Sequence, residues 1–161
     1  MEAGAVGNIG IGYIALRDTT VGDYNVAVGN ASGSLLTTGI GNTFIGGSSG
    51  FNSNGSNSVF LGRYAGKYET AGNKLFIDAL DRTNEATART SSLIYGVFNA
   101  TPASQTLALN AQVSVLGGIS ATTGDFSSTV SVGAYTLPAT DGTNGQVLVT
   151  NGSGVLTWTT L

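Results

Sequence analysis

The sequence predicts an all-β chain whose N-terminal half winds into a repeating parallel solenoid. Two observations carry that expectation. The first is a repeat: NIGIG at Asn8–Gly12, NVAVG at Asn25–Gly29, NTFIG at Asn42–Gly46, SVFLG at Ser58–Gly62 and KLFID at Lys74–Asp78. Its third apolar position recurs at Ile11, Val28, Ile45, Leu61 and Ile77, in steps of 17, 17, 16 and 16 residues. A fixed period of this size marks a stacked, quasi-one-dimensional architecture. The second observation is composition. Val, Ile, Thr, Phe and Tyr occur in short bursts between Gly and Asn, the pattern of short strands bounded by turns.

The same composition narrows the function. Charged residues make up only 9% of the 161 residues, far below the usual quarter, while the apolar share of 41% argues against disorder. The chain has neither Cys nor His. It therefore lacks a disulfide framework, thiolate chemistry, the two commonest transition-metal ligands and the commonest acid–base catalyst. A net charge of −3 with six Lys and Arg leaves no basic footprint for nucleic acid. No stretch reaches the roughly 18 apolar residues of a membrane helix, so no membrane insertion is expected. The start, MEAGAVGN, lacks the basic and apolar regions of a signal peptide, so export would use another route.

Residues 1–7 read as a lead-in, and residues 1–78 as the solenoid. Each unit offers two short strands and two turns, with a second Gly four residues after the first, as in Gly29 and Gly33 or Gly46 and Gly50. Gly and Asn supply the positive-φ corners. Within the first strand, Ile9, Val26, Thr43, Val59 and Leu75 alternate with a second set, and the residues two further on are Ile11, Val28, Ile45, Leu61 and Ile77. These two columns share a face and are expected to fill the coil as its core. The column between them, Gly10, Ala27, Phe44, Phe60 and Phe76, is expected to face out. Because it is also apolar, it requires cover from a second copy of the chain. Phe44, Phe60 and Phe76 are thus the expected subunit interface, and Phe60→Asp should separate subunits rather than loosen one chain.

Residues 79–92, ALDRTNEATARTSS, hold the densest charge and read as a solvated connecting loop or a short helical excursion. Residues 93–161 read as a shaft of short strands, among them Ser92–Phe98, Gln105–Leu109, Val113–Leu116 and Phe126–Val132. The shaft ends in a β-hairpin at 145–161, with Gln146–Thr150 and Val155–Thr160 as strands around NGSG. Trp158 is expected to anchor packing there.

The tandem NxxIG units, followed in order by GNKLFIDA, SSLIYGVF and TLALNAQV, resemble the repeat head of phage tail fibres and related trimeric adhesin-like proteins. DGTNGQVLVTNGSGVLTW is similar to a hairpin segment found downstream in such fibres. The resemblance implies a homotrimeric fibre. In it, three left-handed parallel β-rolls pack side by side ahead of a shaft of intertwined short strands. It also implies attachment to a host or surface, located on a virion or at an extracellular or cell surface.

The weighing of sites favours no enzyme and no cofactor. Asp78, Asp81 and Glu69 are the acids best placed for glycan cleavage, and Asp18 with Asp23, or Asp78 with Asp81, for Ca²⁺, but no calcium-loop signature is present. Glycines recur as corners and precede no phosphate-binding helix, and the Thr pairs at 37–38 and 122–123 do not follow the repeat as an ice-binding face would. The residues expected to be exposed for recognition are Tyr64, Tyr68, Arg82 and Arg89. The leading expectation is a structural and adhesive fibre segment. The alternatives are a receptor- or glycan-binding module acting through loop 79–92 or the coil corners, and a subunit of a self-assembling extracellular filament.

Overall fold

The computed structural model describes residues 4–117, 131–132, 135–136, 138 and 140–160. The chain divides into two compact units, Met1–Ser114 and Val115–Leu161. In the first, β1 (Ile9–Ile11), β2 (Val26–Val28), β3 (Thr43–Ile45), β4 (Val59–Leu61) and β5 (Lys74–Ile77) pair in parallel, one repeat per turn. Ile9, Val26, Thr43, Val59 and Leu75 stand directly in register. The result is a parallel β-solenoid of the predicted period.

The corners explain the punctuation of the repeat. Gly12, Gly29, Gly46 and Gly62 end β1–β4 at φ between 110° and 136°, and a Cβ at Gly29 would stand 2.6 Å from the Gly46 carbonyl carbon. No side chain fits where the coils turn that closely.

The alternation is as predicted but its sense is reversed. Ala27, Phe44, Phe60 and Phe76 are fully buried inside the coil. The expected core column faces outward: Ile11 is 58% and Ile45 43% exposed, while Val28, Leu61 and Ile77 are half-buried. Phe44, Phe60 and Phe76 are therefore core residues and not a subunit interface. The reason is width. The interior admits one ring per turn, opposite a glycine on the returning leg. A Cβ at Gly50 would come within 2.9 Å of the Phe44 ring, and one at Gly66 within 2.5 Å of the Phe60 ring. The rings stack along the coil, Phe44 on Phe60 at 4.9 Å and Phe60 on Phe76 at 5.2 Å between centroids, close to the spacing of neighbouring strands. The first turns are not hollow either. Leu16 packs against the core beside Gly10, and Leu36 is fully buried.

The leading Asn of the first three units, Asn8, Asn25 and Asn42, forms a second interior column, which Ser58 continues in the fourth. Asn42 donates from its backbone N–H and its Nδ2 to Asn25 Oδ1, at 3.0 and 2.9 Å. Its Nδ2 also donates to the Gly55 carbonyl at 2.9 Å, and its Oδ1 accepts from the Ser58 N–H at 3.0 Å. Asn25 repeats the pattern with Asn8 and the Gly39 carbonyl. Asn42→Ala is expected to leave the buried Ser58 N–H and Gly55 carbonyl unpaired and to lower unfolding free energy by about 2–3 kcal/mol. Chemical denaturation would read this, and a midpoint unchanged from wild type would refute the ladder's contribution.

After β5 the chain forms α1 (Glu85–Ser91), then β6 (Ile94–Val97) and β7 (Thr106–Leu109), which extend the sheet antiparallel in the order β1 to β7. The strands expected to begin a separate shaft thus continue the coil's own sheet. Tyr95 on β6 sets its ring 5.0 Å from Phe76 and ends the aromatic column. The run Val113–Leu116, expected as a strand, is irregular.

In the second unit, β8 (Ser131–Val132) pairs with β9 (Tyr135–Thr136), and β10 (Gln146–Thr150) pairs antiparallel with β11 (Leu156–Thr160) as the expected hairpin. Asn151 Oδ1 accepts from the Ser153 and Val155 N–H groups and shapes its turn. Trp158 donates from Nε1 to the Thr140 carbonyl at 2.8 Å. Of the expected strand Phe126–Val132, positions 126–130 lie outside the described residues.

Candidate functional site

Because Phe points inward, the Ile, Val and Leu residues on either side of it form an outward face. Register carries that face across all seven strands, from Ile9 and Ile11 on β1 to Leu107 and Leu109 on β7. Six strand spacings make it about 29 Å long. It holds no charged residue, and both its ends are more than 45% exposed: Ile9 52%, Ile11 58%, Leu107 63%, Leu109 46%. A sheet with both faces apolar needs a second cover, and the coil interior supplies only one.

The segment read as an exposed charged loop is instead fastened inward over the end of the coil. Glu69 is fully buried and accepts from Arg89 Nε at 2.7 Å and Nη2 at 2.6 Å, and from the Ala71 N–H at 2.9 Å. Glu85 also pairs with Arg89, one helical turn away. Asp78 accepts from Arg82 Nε at 2.6 Å and Nη2 at 3.0 Å. Burial pushes the Asp78 carboxyl up, but the Arg82 guanidinium and the Ala79 N–H outweigh it and hold it below the usual carboxylate range. The Glu69 carboxylate, against burial, drives Arg89 further up. Asn84 Oδ1 caps α1 by accepting from the Thr87 N–H, and Ala88 is buried beneath the helix. Arg82 and Arg89 are therefore clamps and not free recognition groups. Their charge points to the buried acids because an unpaired carboxylate there would be costly.

Glu69, Asp78 and Asp81 are each committed to a different cation, Arg89, Arg82 and Lys67. Asp18 pairs with Arg17, and Asp23 accepts from the Val6 N–H. Among the described residues no group of three or more acids is placed to hold a metal ion. An open recess of about 290 Å³ is lined by Asn73, Phe98, Asn99 and Ala100.

Tyr64 and Tyr68 do come together at one corner of the fourth turn. Lys67 Nζ sits 4.9 Å from both ring centroids and 2.6 Å from Asp81 Oδ2. The Arg63 guanidinium lies 4.4 Å from the Tyr64 centroid. The two tyrosines are among the expected recognition residues and Asp81 among the expected acids, but Arg63 is not singled out by the sequence. Residue types alone do not place Asp81 beside Lys67; it arrives there on the capping segment. No family model, curated protein or solved structure matches the chain.

Proposed function

We propose that this chain is a structural and adhesive fibre segment. It would act as a homotrimer in a phage tail fibre or a related surface-attachment filament, on a virion or at an extracellular surface. The observation that carries the reading is the uncharged outer face running the length of a coil whose interior is already filled. Two further copies of the chain would cover it, and the trimeric number rests on the resemblance of the repeats to fibre heads. The role is mechanical. Stacked turns with paired backbones and few charges make a stiff support that holds a recognition surface away from its base.

Light scattering is expected to give three times the 16.1 kDa chain mass. A stable monomer at micromolar concentration would overturn the reading. Ile45→Asp, on the outer face and 43% exposed in the single chain, is expected to yield monomers with an unchanged far-UV β spectrum. A charge there opposes association while touching nothing inside the coil.

A further inference from the structure

We propose that the corner formed by Arg63, Tyr64, Lys67, Tyr68 and Asp81 is a binding site for an anionic saccharide bearing carboxylates. The inference deepens the adhesive part of the function above and does not depend on the trimer.

The repeat itself shows what this corner would look like if it served stacking alone. At the position of Arg63 the earlier turns carry Tyr13, Asn30 and Gly47, and at that of Tyr64 they carry Ile14, Ala31 and Ser48. Lys67 and Tyr68 correspond to Phe51 and Asn52 one turn earlier. Only the fourth turn combines two aromatic rings with two cations. Tyr64 also sits at φ 64°, the left-handed conformation of its counterparts Ile14 at 50°, Ala31 at 56° and Ser48 at 55°. A bulky side chain in that region is uncommon, and the coil winds equally well there with small ones.

The chemistry of the group suits a carboxylated sugar. Arg63 is exposed and makes no salt bridge among the described residues. Its planar fork matches a carboxylate bidentately. The tyrosine rings hold both cations by cation–π contact, so less side-chain freedom is lost when an anion bridges them. Ring edges offer apolar contact to the C–H face of a pyranose, while the Asp81 carboxylate accepts from its hydroxyls and the tyrosine hydroxyls accept from or donate to them. Two cations against one carboxylate leave the corner positive in a chain of net charge −3, which draws anions to this place.

The third turn supplies a test variant already compatible with the fold: Arg63→Gly with Tyr64→Ser, the residues found at Gly47 and Ser48. Titration calorimetry on the full chain would use polygalacturonate as the carboxylated probe and dextran as the neutral one, with light scattering on the same samples. Wild type is expected to bind polygalacturonate in a salt-sensitive manner and to ignore dextran. The double variant should bind at least about tenfold more weakly at unchanged mass. Absence of polygalacturonate binding by wild type, or equal binding by the variant, would overturn the site. A loss of oligomer mass in the variant would assign the corner to contact between copies and would also overturn it. A monomeric wild type that still binds would uphold the site while removing the trimer.

Discussion

Phe60→Asp is expected to unfold the coil within a single chain. Phe60 is fully buried, stacked on Phe44 and edge-to-face with Phe76, and backed by Gly66 with no room for relaxation. Truncating such a ring costs about 3–5 kcal/mol, and a carboxylate left unpaired in its place adds the penalty of a buried charge. That is comparable with the whole stability of an ordinary domain, about 5–15 kcal/mol. Far-UV circular dichroism and protease digestion would show loss of the β spectrum and rapid cleavage. Phe60→Ala should lie between the two. A variant that keeps its β spectrum but falls from oligomer to monomer would mean that the ring faces a partner after all.

Arg89→Met should open the capped end. Among the described residues it removes the only cation that reaches the fully buried Glu69, whose remaining partner is the Ala71 N–H. Breaking a buried pair from one side costs about 3–5 kcal/mol, and because the Arg89 side chain is 34% exposed the low end applies, near 3 kcal/mol. Hydrogen exchange should rise across Glu85–Ser91 while the interior strands stay protected. Adding Glu69→Gln should restore much of the protection, since the amide needs no counter-charge. If the double variant were no better than the single one, Arg89 would be holding the helix by packing alone. The second clamp has a definite pH signature. The Asp78 carboxyl lies below the usual range when folded, so the unfolded chain takes up that proton more readily. The contribution of Asp78–Arg82 is therefore complete well above about pH 4 and fades as pH falls through the depressed folded value.

Much of this fold could be read from residue spacing. The period located every parallel strand, because glycine is required at the close corners after β1–β4 and asparagine leads the first three rungs of the ladder. The hairpin was legible from NGSG between two alternating runs. What the alternation could not decide was its sense, because both columns are apolar and a two-residue period is symmetric under reversal. A finer signal was nevertheless present in complementary sizes six residues apart. Phe44 faces Gly50 and Phe60 faces Gly66, whereas Gly10 is matched with Leu16. In these three turns a large residue meets a small one, as it must when both share one narrow interior, while in the second turn Ala27 and Gly33 are both small and Leu36 is buried there instead. The capping segment holds the short helix the sequence allows, but its inward fastening was hidden for a different reason. Its charge density resembles a solvated loop, and only the fold reveals that Glu69 and Asp78 wait beneath it. Of the four residues expected to be exposed for recognition, Tyr64 and Tyr68 meet at one corner around Lys67, while Arg82 and Arg89 turn to those hidden acids.

The asparagine column has a direction. Asn25 donates to Asn8, Asn42 to Asn25, and the Ser58 N–H to Asn42, so every rung joins residues only 16 or 17 positions apart. The distance along the chain that must be closed is the same for the last turn as for the first. Lengthening such a protein by another turn therefore multiplies its contacts without raising the entropic cost of any single closure. The architecture can be scaled, and its length is set by where a stopper such as α1 is placed.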